Sequence, residues 1–210
     1  MLEDAARLLR DGGLVAFPTE TVYGLAADAT NPQAIARLNR VKGRPPHKPY
    51  SLHLHSIEQV REVVAHVPPQ ARRLMERFWP GPLTIVIPYH GPSTRPSASL
   101  RIVVSERSES NHDMQTVGLR VPDHPIAQAF LKACGVPVAA PSANASGTPP
   151  PTDAQQVLAG LDGAFDCLLD GGPCRLGRES TVVSVTAGGL DILREGAISK
   201  ETIRSFRDGD

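Results

Sequence analysis

Between Asp28 and Glu58 the chain has no acidic residue, yet Arg37, Arg40, Lys42, Arg44 and Lys48 place five permanent positive charges there. Three of these cations fall in Lys42-Gly43-Arg44-Pro45-Pro46-His47-Lys48-Pro49, where three prolines oppose a helix and hold them on a stiff loop. Such a loop suits a polyphosphate, because arginine offers a planar fork to phosphate oxygens and lysine a point charge. The plain alternative is a solvated basic loop with no specific partner. No GxxxxGK[ST] run occurs, so a nucleotide held here is gripped by side chains more than by a glycine cradle.

Hydroxyl groups gather at two strand exits. Thr19-Glu20-Thr21 follows the apolar run Leu14-Val15-Ala16-Phe17, and Pro141-Ser142-Ala143-Asn144 follows Val136-Pro137-Val138-Ala139. In α/β proteins ligands usually sit at such exits. Ser142 lacks the GxSxG elbow and an evident His and acid, so it reads as a binding hydroxyl rather than a nucleophile. His53 and His55 fall on one strand face by the period of two, which is too few ligands for a metal site. Arg120, in an otherwise apolar strand, needs an anionic partner. That partner is either an internal carboxylate or the carboxylate or phosphate of a ligand. Ser180-Thr181 and Arg194, at the ends of the last two apolar runs, carry the same two readings.

The elements that must position these groups alternate along the chain. Helical spacing of Leu2, Ala5, Ala6, Leu8 and Leu9 ends at Asp11-Gly12-Gly13. Asn31 caps a helix with Pro32 at its first position, and this helix delivers the chain to the basic loop. Strands are expected at residues 50–54, 83–87, 117–121, 136–139 and 165–169, with short ones around Ile102 to Val104. Helices are expected at about 69–78, from Pro125 to Cys134, and after two capping boxes, Ser56 with Gln59 and Thr152 with Gln155. Thr181 to Val185 and Leu190 to Leu193 form a hairpin through Gly188-Gly189, and a short helix follows Ser199. Strands alternating early and pairing locally late predict an α/β fold, a twisted mixed parallel and antiparallel sheet with flanking helices.

The 210 residues suffice for one domain spanning 1–210. Lys plus Arg and Asp plus Glu balance at 22 each, which argues against a general nucleic-acid or membrane binder. Three cysteines without ligand spacing point to a reducing cytoplasmic compartment, and no apolar run is long enough to span a membrane.

Taken together, Pro18-Thr19-Glu20-Thr21-Val22-Tyr23-Gly24-Leu25, Lys42-Gly43-Arg44-Pro45, His53, Phe78-Trp79-Pro80-Gly81-Pro82-Leu83-Thr84, Gly118-Leu119-Arg120-Val121-Pro122, Pro141-Ser142-Ala143-Asn144-Ala145-Ser146-Gly147, Ser180-Thr181-Val182-Val183 and Leu193-Arg194-Glu195-Gly196 resemble the YrdC-like family in order and spacing. The resemblance implies the YrdC-like fold with a central cleft, and a nucleotidyltransferase. That enzyme condenses L-threonine, bicarbonate or carbon dioxide, and ATP into threonylcarbamoyl-AMP and pyrophosphate, for N6-threonylcarbamoyladenosine in tRNA. Residue by residue, it implies that Thr21, His53, Arg120 and Ser180 contact threonine and that Arg44, Lys48, Thr116, Ser142, Asn144 and Arg194 face ATP. Lys42 and Arg44 would be the catalytic cations, and magnesium would arrive with ATP rather than on a dedicated protein site. Two departures stand out: Lys48-Pro49-Tyr50 replaces a common Asn-Pro-Leu, and Ser184 replaces an acidic residue. Longer relatives carry a second C-terminal domain; this chain resembles the short form, which implies an open cleft and product handover to a transferase complex. The competing reading is a double-stranded RNA or tRNA binding protein using the same cleft. Zero net charge and the small set of five Phe, three Tyr and one Trp count against it.

Overall fold

The computed structural model describes residues 1–44, 49–89, 105–106 and 115–208. Lys48, the strands expected around 102–104 and the stretch 107–114 therefore lie outside the described residues. Helix α1 (Leu2–Arg10) buries Ala5, Ala6 and Leu9, with acidic residues in its first turn and arginines in its last, as the helix dipole favours. The chain then enters β1 (Val15–Phe17), which pairs antiparallel with β2 (Gly24–Asp28). Helix α2 (Pro32–Lys42) starts on the Asn31 side chain, which accepts from the Gln33 and Ala34 N–H groups at 3.0 and 3.3 Å. It stops at Gly43, whose φ of 57° is left-handed and open to glycine without strain.

Strand β3 (Leu52–His53), helix α3 (Val60–Val63), helix α4 (Pro69–Phe78) and strand β4 (Leu83–Pro88) follow. Next come β5 (Ser105–Glu106), β6 (Gln115–Arg120), α5 (Pro125–Cys134), β7 (Val138–Ala139) and α6 (Ala154–Leu161). The chain closes with β8 (Cys167–Leu168), the antiparallel hairpin of β9 (Thr181–Thr186) and β10 (Gly189–Arg194), and α7 (Lys200–Asp208). Among the described residues the strands form one sheet in the order β10-β9-β4-β6-β3-β7-β2-β1-β8, with β5 beside β6. β4 with β9, β3 with β6 and β1 with β8 run parallel and the remaining pairs antiparallel, so the mixed sheet is as expected.

Three local expectations change. Gln59 does not reach back to Ser56; it precedes α3, and its side-chain oxygen takes the His55 N–H at 3.0 Å. The box before α6 sits one residue later: Asp153 accepts from the Gln156 N–H at 2.8 Å and Gln156 accepts from the Thr152 N–H at 3.0 Å. Aspartate is a strong cap, and Asp153 with Gln156 keeps the spacing of three that the box needs. Strand β2 was hidden in what reads as a loop exit, because Gly-Leu-Ala-Ala-Asp has little intrinsic β preference; pairing with β1 and β7 supplies it.

Side chains alternate across the sheet and split the core in two. Val15, Phe17, Ala26, Val138 and Ala140 pack with α1 and α5 on one face, while Leu14, Ala16, Leu25, Ala27, Leu52 and Leu119 join the larger core on the other. That double burial explains the continuous apolar run of β1. In the middle of the sheet the alternation leaves one face polar. Val117, Leu119 and Val121 enter the core, whereas Thr116, Gly118 and Arg120 line an open cleft. Leu83, Ile85 and Ile87 likewise enter the core, and Thr84 and Val86 line the cleft.

Candidate active site

The cleft encloses a volume of about 510 Å³ over this polar floor. Its walls come from the end of α2, the segment after β7 and the segment leading into β9. Of the residues expected to bind ligand, Lys42, Arg44, His53, Thr116, Arg120, Ser142, Asn144, Ser180 and Arg194 all line it. They are spread over 150 positions of sequence, and sheet order brings them together: His53 of β3 stands in register with Arg120 of β6.

Arg120 is 4% exposed and its side chain is held from three sides. Nη2 lies 2.9 Å from Glu20 Oε1 and donates to Thr21 Oγ1 at 2.8 Å, and Nε donates to Gly81 O at 3.4 Å. Glu20, 1% exposed, has no hydrogen-bond partner on either oxygen among the described residues, so its carboxylate is held by the charge of Arg120. Arg120 therefore has the internal carboxylate of the first reading, and its side chain also lines the cleft. Thr21 is placed differently from the expectation. It is fully buried behind the cleft wall, with its hydroxyl shared between Arg120 and Thr19 Oγ1, the latter at 2.8 Å.

Beside Arg120, burial and then the arginine charge pull the His53 imidazole down to about 3, so it is neutral across the working pH range. Its ring meets Phe17 edge-on at 6.1 Å, and its Nδ1 is buried without a hydrogen-bond partner among the described residues. Thr84 of β4 and Ser180, just before β9, share a hydrogen bond at 2.9 Å between their hydroxyls, each residue 5% exposed. Arg194 clamps the same point, with Nη2 on Ser180 O at 2.9 Å and Nη1 on Glu179 Oε1 at 2.7 Å. Gly196 makes this crossing possible, since a Cβ there would stand 2.2 Å from Glu179 O and 2.4 Å from the Ser180 carbonyl carbon.

The basic loop divides its labour. Lys42 is 3% exposed and spends its ammonium protons on Ser142 O at 2.6 Å, on Asn144 O and on Asn144 Oδ1 at 3.1 Å. Burial, with Arg44 adding to it, pulls the ammonium down to about 8, which leaves it charged at neutral pH. The expectation of Lys42 as a catalytic cation changes accordingly: it is a strut that fixes the 142–144 segment and lends the cleft its charge. Asn144 is equally committed, donating to Ala145 O at 3.1 Å and Thr148 O at 2.6 Å. Arg44, half-buried, lines the cleft beside Lys42, from a stacked position on Tyr50. Sequence reasoning missed Thr84, Glu179, Ser51 and Tyr50 as cleft residues. The polar Thr84 inside an apolar strand was the available signal.

Among the described residues no group of three His, Cys, Asp or Glu could hold a metal ion. The carboxylate lining the cleft, Glu179, is already paired with Arg194. No helix of the described residues is long and apolar enough to cross a membrane.

The sequence model of the Sua5/YciO/YrdC family, described as telomere recombination, matches residues 7–196. A threonylcarbamoyl-AMP synthase of Bacillus subtilis (strain 168) is 43% identical over 204 residues, which is 97% of this chain and 56% of that protein. A protein of the same name from Pyrococcus abyssi is 41% identical over 199 residues, 95% of this chain and 55% of its own length. The crystal structure of P. abyssi Sua5 complexed with L-threonine superposes with a TM-score of 0.83 at 40% identity, covering 98% of this chain and 56% of that one. E. coli YciO superposes at 0.77 with 26% identity, covering 93% of this chain and 88% of that one. The chain thus spans about half the length of these two synthases. With a family pattern running from residue 7 to 196 and its polar positions converging on one cleft of the same fold, the chain belongs to the Sua5/YciO/YrdC family.

Proposed function

We propose that the chain condenses L-threonine, bicarbonate or carbon dioxide, and ATP into threonylcarbamoyl-AMP and pyrophosphate. The observation that carries this reading is the meeting, in one 510 Å³ cleft, of the framed Arg120 with its His53 and Ser180 neighbours and of a second cationic set, Arg44, Lys42 and Arg194. Synthases 41–43% identical over nearly the whole chain support it.

In this reading the threonine carboxylate docks on Arg120, with Ser180 and neutral His53 beside it and Thr21 acting through Arg120. The threonine amine bonds to the carbon of carbon dioxide and loses a proton, giving a carbamate. A carbamate oxygen then bonds to the α-phosphorus of ATP while the bond from that phosphorus to the bridging oxygen breaks, and pyrophosphate leaves. No protein nucleophile is needed. The chain supplies alignment of two anions and positive charge where charge develops, the two largest contributions to such transfers. Arg44 and Arg194 face the phosphates, Ser142 and Thr116 the nucleotide, and Lys42 holds the 142–144 wall. Magnesium, when bound, supplies charge neutralisation on the phosphates; with Glu179 taken by Arg194, the cleft suits an ion carried by the nucleotide and water. The product is a reactive mixed anhydride, so a threonylcarbamoyl transferase complex acting on tRNA would consume it.

The test measures pyrophosphate release by the purified chain with ATP, magnesium, L-threonine and bicarbonate, each omitted in turn. Release that persists without threonine or without bicarbonate defeats the proposal.

A further inference from the structure

At the base of the basic loop the contacts close into a ring. The Arg44 backbone N–H donates to Asn39 O at 3.0 Å, and its Nη2 donates to Pro49 O at 2.7 Å. The Arg44 guanidinium carbon lies 4.7 Å from the centre of the Tyr50 ring, and the Tyr50 hydroxyl donates to Asn39 Oδ1 at 2.7 Å. The ring therefore runs from Asn39 in α2 to Arg44, across to Pro49 and Tyr50 before β3, and back to Asn39.

We infer that Asn39 and Tyr50 are positioning residues for nucleotide binding: together they hold the Arg44 guanidinium flat and aimed into the cleft. A guanidinium lying over an aromatic face is attracted by the ring quadrupole, more strongly as water is excluded. Here Tyr50 is 3% exposed and Arg44 is half-buried, with its Nε out of water and, among the described residues, without a hydrogen-bond partner. Among the described residues, Pro49 O is the acceptor that draws the guanidinium, at one end, and the ring face then fixes its plane. A guanidinium held this way keeps its in-plane N–H edge for oxygen acceptors, which a triphosphate supplies. The ring itself is fixed by the tie to Asn39. Burial pushes the Tyr50 phenol up to about 12, so the hydroxyl remains a donor over any working pH. A long arginine on an exposed loop would lose side-chain freedom when it grips phosphate; one already stacked has less to lose.

The inference rests on the synthase reading of the cleft, and the experiment separates the two. ATP and L-threonine affinities of the full chain are measured by calorimetry, with thermal unfolding as the folding control, alongside pyrophosphate release. Asn39→Ala and Tyr50→Phe remove the two ends of one hydrogen bond, so each is expected to weaken ATP binding about threefold and the double variant no further. Tyr50→Leu removes the ring and is expected to weaken ATP binding about tenfold, equivalent to about 1.4 kcal/mol. Threonine affinity is expected to stay within twofold throughout, and Tyr50→Leu is expected to have no effect in an Arg44→Gln background. Additive Asn39 and Tyr50 effects, an equal loss of threonine affinity, or an undiminished Tyr50→Leu effect without Arg44 overturns the inference. Should Tyr50→Leu fail to fold, the Asn39→Ala and Tyr50→Phe pair decides alone. A wild-type chain that binds ATP with these couplings yet releases no pyrophosphate sinks the synthase reading and leaves the role of the ring intact.

Discussion

Replacing Arg120 with Met removes a charge but almost no volume, and it strands Glu20. The two groups are 5% and 1% exposed and 2.9 Å apart, and neither Glu20 oxygen has a hydrogen bond to fall back on. Breaking a buried pair from one side typically costs about 3–5 kcal/mol, because the remaining charge is left without water or partner. Whole domains are stable by only about 5–15 kcal/mol, so Arg120→Met is expected to lose roughly a fifth or more of the total. In a chain of this size that lowers the melting temperature by roughly 6–20 °C. Adding Glu20→Leu removes the stranded charge and is expected to restore most of the loss, since apolar replacements of buried pairs are often neutral or better. Activity should stay lost in both, because the threonine carboxylate has no guanidinium. The assay is urea unfolding of the two single variants and the double, read as a cycle. A cost below about 1 kcal/mol for Arg120→Met, or a double variant as unstable as the sum of the singles, refutes the argument that Arg120 serves the fold and the ligand together.

Three further outcomes follow from the site. His53 is held down to about 3 in the fold against 6.5 when free, so its contribution to stability is complete above pH 6.5 and is lost as pH falls toward 3. That loss amounts to about 1.4 kcal/mol per pH unit, and the stability curves of wild type and His53→Gln between pH 6.5 and 4 should differ by this slope; parallel curves contradict it. Lys42 is held down to about 8 against 10.5, so the unfolded chain keeps a proton that the fold releases between those values. Stability from this group therefore rises across that window while ATP affinity, which needs the charged strut, falls through pH 8; Lys42→Met should show neither change. Gly196→Ala forces a Cβ to within 2.2 Å of Glu179 O, and should lower both melting temperature and threonine affinity through displaced Ser180; a variant with unchanged threonine titration speaks against that coupling.

Much of this was readable in the residues. The Asn31 cap with Pro32 after it and the apolar runs at 83–87 and 117–121 are local signals, and they located α2 and the central strands. The convergence of Arg44, Arg120 and Ser142 could be read from ordered motifs, because each lies at an element's end. What remained hidden depends on partners distant in sequence. Nothing near Lys42 says that its protons go to residues 100 and 102 positions later, turning a phosphate cation into a strut. Nothing near Thr21 says that its buried hydroxyl is taken up by Arg120 and Thr19. Glu20 read as one member of a polar stretch, and only the fold sets it against a guanidinium 100 residues away. β2 was obscured for the same reason: its alanines become a strand through β1 and β7.

The most direct measurement of the central claim follows the carbon. The chain is incubated with ATP, magnesium, L-threonine and ¹³C-bicarbonate, and the nucleotide products are resolved by mass spectrometry. Threonylcarbamoyl-AMP carrying the heavy carbon is expected, formed in step with pyrophosphate and absent from the Arg44→Ala variant. AMP and pyrophosphate accumulating without a labelled adenylate, or a labelled adenylate made equally well by Arg44→Ala, would contradict it.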